Sequence, residues 1–142
     1  MCLCGDFMTS DNFNWYWLHE LGTILLDSDD EAYLRTAINR FYFSAFCEAR
    51  DYLIRNNIYY NKKLKDELKS NSGEVHSATR EIYKLSKEFR SKRRGIRIER
   101  ALNSLRDLRN EADYQTPSKN FKYSALKSEN LSSFVFNTLR KL

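Results

Sequence analysis

The stretch that decides the fold is Glu31–Arg55, EAYLRTAINRFYFSAFCEARDYLIR. It contains neither Gly nor Pro. Leu34, Ile38, Phe41, Phe46, Ala49 and Leu53 recur at steps of three to five, and Tyr42 and Ala45 widen the stripe. That period predicts a long amphipathic α-helix with a broad aromatic face turned towards a core. The run Asp27–Ser28–Asp29–Asp30 just before it ends any preceding helix and supplies an N-cap. Its carboxylates suit the positive end of the helix dipole.

Upstream, Trp15, Leu18, Leu21, Gly22 and Leu25 keep helical spacing. They predict a first helix over Asn12–Leu26, capped by Thr9, Ser10 or Asp11. Downstream, residues 56–73 are polar and contain Asn56, Asn57, Asn71, Ser72 and Gly73, so they read as a connection with one short helix around Lys62–Leu68. A third helix is predicted over Glu74–Phe89, with Val75, Ile82, Leu85 and Phe89 inward. A fourth is predicted over Arg97–Ala112, with Ile98, Ala101, Leu102, Leu105 and Leu108 inward. Pro117, in Gln115–Thr116–Pro117–Ser118, cannot continue a helix and disfavours one before it. A last helix is predicted over Tyr123–Leu139, with Leu131, Phe134, Val135 and Leu139 apolar.

Composition agrees. Among 142 residues there are 4 Gly and 1 Pro, too few turn residues for a sheet-rich fold. A hydrophobic share of 42% suffices for one core. The expected architecture is all-α, a four- to five-helix up-and-down bundle over 30–142. It is preceded by an acidic segment, 1–29, that carries the leading helix. No run of about 18 apolar residues exists, which excludes a membrane-spanning helix. The first residues lack a basic region followed by an apolar stretch, so the expectation is a cytoplasmic protein without a secretory signal. Three cysteines exclude a complete disulfide framework, and reduced thiols are expected. Cys47, beside the aromatic stripe, reads as a small buried hydrophobe. Cys2 and Cys4 with His19 and His76 fall short of a zinc ligand set, so no metal and no cofactor are expected. His19, among Trp15, Trp17 and Leu18, reads as a packing or surface residue, and His76 as a capping or exposed one, with a place in a site assembled from distant residues as the alternative.

The net charge of +5 is uneven. Residues 1–34 carry −7, residues 35–79 carry +3, residues 80–109 carry +7 and residues 110–142 carry +2. The basic run includes Arg93, Arg94, Arg97 and Arg100, which with Arg40 on the long helix could track the phosphates of a nucleic acid or form a solvated face.

Two segments carry more than a bundle pattern. One is Leu34–Phe46, LRTAINRFYFSAF; the other is Leu105–Tyr114, LRDLRNEADY. Together they resemble the small stand-alone prokaryotic members of the HEPN superfamily. In these, a long early helix carries R-x-Y-Y-x-x-F and a late helix carries L-R-x-x-A-D-Y. Arg40, Tyr42 and Phe46 match the first pattern; Leu108, Arg109, Ala112, Asp113 and Tyr114 match the second. The resemblance spans about residues 30–142. It implies a four- to five-helix bundle that forms a homodimer and belongs to a toxin–antitoxin or antiviral defence system. It further implies an RNA-binding protein and a metal-independent endoribonuclease site. Many active members use an R-x(4–6)-H motif whose Arg stabilises phosphate charge and whose His assists attack by a 2′-hydroxyl. Here Arg109 and Asn110 begin that motif, but Tyr114 stands at the histidine position. A phenol with an ordinary pKa near 10 is a poor general base at neutral pH. The candidate site is thus Arg109, Asn110, Asp113 and Tyr114, and Arg40 could point into it or snorkel to solvent. A plain i,i+4 pairing of Arg109 with Asp113 stands beside that reading. The alternative function is a non-catalytic module that docks a partner protein such as a nucleotidyltransferase. The acidic front segment and the cluster Phe13, Trp15, Tyr16 and Trp17 would make that contact.

Overall fold

A computed structural model describes residues 13–114 and 120–142. Among these residues the fold is all-helical, as expected. Its helices are α1 Tyr16–Leu26, α2 Glu31–Arg55, α3 Lys62–Leu68, α4 Glu74–Leu85, α5 Arg94–Tyr114 and α6 Phe121–Arg140. The sixth, beyond the expected four to five, comes from the short α3 in the polar connection. The caps expected at Thr9, Ser10 or Asp11 and the stop at residues 115–118 lie outside the described residues. None of the described helices is long and apolar enough to cross a membrane.

The long helix α2 organises the rest. Asp30 caps it by accepting a hydrogen bond from the Ala32 backbone N–H. Every residue of the expected stripe, from Leu34 to Leu53, is buried. α1 crosses α2 antiparallel, held at one end by Trp15 Nε1 donating to Asp51 and in the middle by Gly22. A Cβ on Gly22 would sit 2.7 Å from the Phe41 ring, so the contact requires the missing side chain. α6 runs parallel to α2 and α5 antiparallel to it. The anchors are Ser44 to Ser132 in the first case and Arg35 to the Ala112 carbonyl in the second. α4 runs parallel to α2, because Tyr42 meets His76 and, two turns on, Ala49 meets Tyr83. The connection at 56–73 therefore carries the chain back along the bundle. The fully buried Arg50 clasps it by donating to the Leu68 carbonyl at 3.1 Å. A buried guanidinium is tolerable only with partners of this kind.

Four local expectations shift. The third helix ends at Leu85 rather than Phe89, and Lys87–Phe89 and Ser91–Arg93 form two 3₁₀ turns. At Ser86 the backbone turns extended, with ψ 133°, and the bend brings Phe89 back onto Tyr83. α5 packs closely against this end of α4: a Cβ on Gly95 would collide with the Tyr83 carbonyl oxygen. Leu85, expected inward, is instead 37% exposed. Leu21, expected on the buried side of α1, is 41% exposed, and His19 and Leu26 take the buried positions. Cys47 is fully buried, as a small hydrophobe should be, but it is disulfide-bonded, against the expectation of reduced thiols. Its partner lies outside the described residues.

Candidate functional site

Arg109 projects from the last turns of α5 towards α2. The placement is fixed by Arg35. Its guanidinium bonds the Ala112 carbonyl at 2.7 Å and Glu31 at 2.7 Å, and lies 4.3 Å from the centroid of Phe121. One side chain thereby satisfies an otherwise orphaned carbonyl near a helix C-terminus and ties α2, α5 and α6 together. Arg35 lies in the quoted motif segment, but only the packing reveals what it holds.

Arg109 Nε donates to Asp113 at 3.1 Å, the i,i+4 pair anticipated from spacing. Asn39 on α2 also reaches Asp113, with a long contact of 3.3 Å. Arg40 donates to Asn39 at 3.1 Å and lies 5.8 Å from the Phe43 ring, and its Nε is buried without a hydrogen-bond partner among the described residues. Asn110 and Tyr114 take no part. They share the neighbouring face of α5, about 100° round the helix, and both are exposed, Tyr114 at 77%. The structure thus divides the expected quartet into Arg109 with Asp113, beside α2, and Asn110 with Tyr114, facing solvent.

What Arg109 meets instead is Tyr42, which in turn bonds a histidine from another helix. Its guanidinium carbon lies 5.4 Å from the ring centroid of Tyr42, a cation–π distance. The Tyr42 hydroxyl is 2.6 Å from His76 Nδ1 on α4. His76 stacks on Phe46 with ring centroids 4.1 Å apart. The expectation of a capping or exposed histidine therefore fails: His76 is half-buried and inside the site. Burial first, and then the positive charges of Arg109, Arg80 and Arg50, push its pKa down to about 4. At neutral pH the ring is an uncharged imidazole, and Nε2 makes no hydrogen bond among the described residues. When Nδ1–H donates to the tyrosine oxygen, Nε2 keeps a lone pair; in the other tautomer Nε2 is a donor. Arg80 is itself pushed below its ordinary value, by burial and then by the neighbouring Arg106. Arg106 Nε is a second buried guanidinium donor without a partner among the described residues. Cations crowded together with unspent donors form a ready anion site.

The other basic residues lie elsewhere. Arg97 is 5.1 Å from the Phe134 ring and, with Lys92, Arg94 and Lys141, lines a groove between the start of α5 and the end of α6. Arg100 continues that groove along α5. Arg93, exposed, adjoins it; Lys92 and Arg93 both have positive φ, 54° and 55°. Arg97 and Arg109 are twelve residues apart on one helix, about 18 Å at the usual rise. Arg40 belongs to the Arg109 end and not to this groove. Among the described residues no cluster of His, Cys, Asp and Glu could hold a metal ion.

Sequence spacing missed His76 because it lies far upstream of Arg109 and on a different helix. The available signal was its position at the start of α4, next to the buried stripe of Val75, Ala78 and Ile82. Comparison with protein-family models, with curated proteins and with solved structures returns no match to this chain.

Proposed function

We propose that this chain is a HEPN-like RNA-binding protein of a toxin–antitoxin or antiviral defence system. In this reading Arg109, Tyr42 and His76 receive one phosphodiester of the RNA. The observation that carries the reading is Tyr42 itself, whose ring lies against Arg109 and whose hydroxyl bonds His76. The geometry supplies a cation and a neutral imidazole on the same tyrosine, Tyr42, without relying on the motif position held by Tyr114. An imidazole with a pKa near 4 is a weak base. A phosphate bound beside Arg109 and Arg80 would offset the charges that depress it and raise its basicity. His76 Nε2 could then accept the proton of a 2′-hydroxyl attacking the adjacent phosphorus; the P–O5′ bond breaks to leave a 2′,3′-cyclic phosphate, the departing 5′-oxygen takes a proton from water, and Arg109 stabilises the charge developing on phosphate oxygen. The groove of Lys92, Arg94 and Arg97 would hold more of the strand.

The test is binding of a mixed RNA pool at two salt concentrations, followed by cleavage assays. Affinity should fall steeply with salt, and Arg109→Ala should weaken it. No binding at low salt overturns the reading. Cleavage that survives both Arg109→Ala and His76→Ala assigns the chemistry to another site or to a contaminant.

One observation favours the second reading, a docking module. Trp17, Leu21 and Ile24 form a single stripe of α1 and are 56%, 41% and 68% exposed. Such a stripe suits a partner protein, a nucleotidyltransferase for instance, or the homodimer mate. Deleting the front segment would also remove the buried Trp15, His19 and Gly22, so point changes are the cleaner probe. Trp17→Glu with Ile24→Glu should abolish the contact while the bundle stays folded; a dimer that survives them, seen by sedimentation, forms through another face.

A further inference from the structure

At the end of the molecule away from His76, the turn after α2, the start of α3 and the end of α4 enclose a cleft of about 480 Å³. That is room for a drug-sized or nucleotide-sized ligand. Its walls carry four cations, Lys62, Lys65, Lys87 and Arg90, against one acid, Glu88. Two tyrosines stand among them, and they differ. Tyr59 is already covered: Lys65 and Lys69 lie 5.1 and 5.3 Å from its ring centroid. Tyr60 is 57% exposed, and its backbone sits at φ 72°, a left-handed conformation that L side chains seldom adopt. The next residue, Asn61, caps α3 by accepting from the Leu64 N–H, which fixes the turn that presents Tyr60.

The end of α4 adds two further oddities. Leu85, predicted to face the core, lines this cleft instead. Ser86 lines it too; it is 3% exposed, and its hydroxyl is buried with no hydrogen-bond partner among the described residues. Unpaired buried hydroxyls are rare and call for a partner that the protein itself does not supply. An exposed aromatic ring, an apolar wall and a cluster of cations match one ligand chemistry: a flat ring joined to an anion.

We propose that this cleft binds a nucleoside phosphate, its base stacked on Tyr60 beside Leu85 and its phosphate held by Lys62 and Lys87. The site stands apart from Arg109 and His76 and does not rest on their role. The ligand is either a free nucleotide or one unit of a single strand, and the experiment distinguishes the two.

The test is isothermal titration of the full chain with AMP, adenosine, inorganic phosphate and an adenylate hexamer. AMP should bind at one saturable site, and adenosine and phosphate should each bind more weakly. Tyr60→Gly removes the ring and relieves the left-handed backbone, so it should keep or raise the Tm while weakening AMP binding about tenfold. Lys62→Ala with Lys87→Ala, both at surface positions, should weaken AMP by a similar factor and leave adenosine unchanged. A hexamer that binds much more tightly than AMP and loses that advantage in Tyr60→Gly identifies a strand subsite; a hexamer affinity that Tyr60→Gly leaves unchanged, with AMP weakened, identifies a free nucleotide. Absence of saturable binding by AMP and hexamer alike, or AMP binding unchanged in both variants, overturns the proposal. Arg109→Ala should leave AMP affinity intact, which separates failure here from failure of the RNA reading.

Discussion

His19 and His76 begin as similar residues. Each lies against aromatic rings, each is removed from water, and burial lowers the pKa of both. Their neighbours make them different. His19 on α1 is buried, with Nδ1 2.8 Å from Ser132 and Nε2 3.5 Å from Ser133, both on α6. Glu129 and Glu20 oppose the lowering of its pKa. His76 spends one nitrogen on Tyr42, and the charges around it, Arg109, Arg80 and Arg50, are all positive. The first is a clasp between helices. The second has a nitrogen to spare and a field that attracts an anion. Histidine chemistry in this bundle is set by what faces the ring, since depth of burial alone points the same way for both.

The largest expected effect breaks the clasp. His19→Ala should cost about 3 kcal/mol, read as a shift in the urea midpoint, because it opens a cavity and strands the Ser132 hydroxyl. RNA affinity at a permissive temperature should be unchanged. A loss of affinity without a loss of stability would move His19 into the functional class.

Acid sharpens the contrast. The folded pKa of both imidazoles lies below the unfolded value of 6.5, so the unfolded chain takes up protons first as pH falls. Their contribution to stability is complete above pH 6.5 and is lost on the way down, for His76 until about pH 4. The His76 share is on the order of 1–2 kcal/mol once screening by water at a half-buried ring is allowed for. Urea midpoints at pH 7 and 4.5 should differ less in His76→Gln than in the parent; equal differences would refute the assignment.

Arg109→Ala should lower RNA affinity about tenfold and reduce the salt slope by about one phosphate. Stability should change by no more than about 0.5 kcal/mol, since the pair with Asp113 is a partly exposed helix pair. Tyr42→Phe should cost about 1 kcal/mol through the hydrogen bond to His76 and perturb the His76 ring resonances in an NMR titration. Asn110→Ala and Tyr114→Ala, which lie on the solvent face, should each change stability by less than about 0.5 kcal/mol. They should also disturb RNA binding less than Arg109→Ala, and a larger effect from Tyr114 would return weight to the motif as written.

The helices were legible because their signals are local. The stripe from Leu34 to Leu53, the Asp30 cap and the short Lys62–Leu68 helix follow from spacing of three and four residues and from side chains that bond their own backbone. The Arg109–Asp113 pair is local in the same sense. Leu85 departs from the expected inward position because its helix stops there, four residues early, and the chain turns extended at Ser86. Nothing within the apolar spacing of α4 announces that stop.

The sequence by itself determined an all-helical chain, its aromatic core and the uneven charge along it, since each depends on composition or on a period of 3.6 residues. Tertiary structure alone decided that His76 meets Tyr42 and that Tyr42 meets Arg109. It also decided that Arg40 parts company with Arg93, Arg94, Arg97 and Arg100, and that Arg35 holds the end of α5. Helix periodicity says which residues share a face but not which faces meet. That choice is made by the fit of many side chains across distant segments, here by Gly22 against Phe41, Gly95 against Tyr83 and Arg50 against the Leu68 carbonyl.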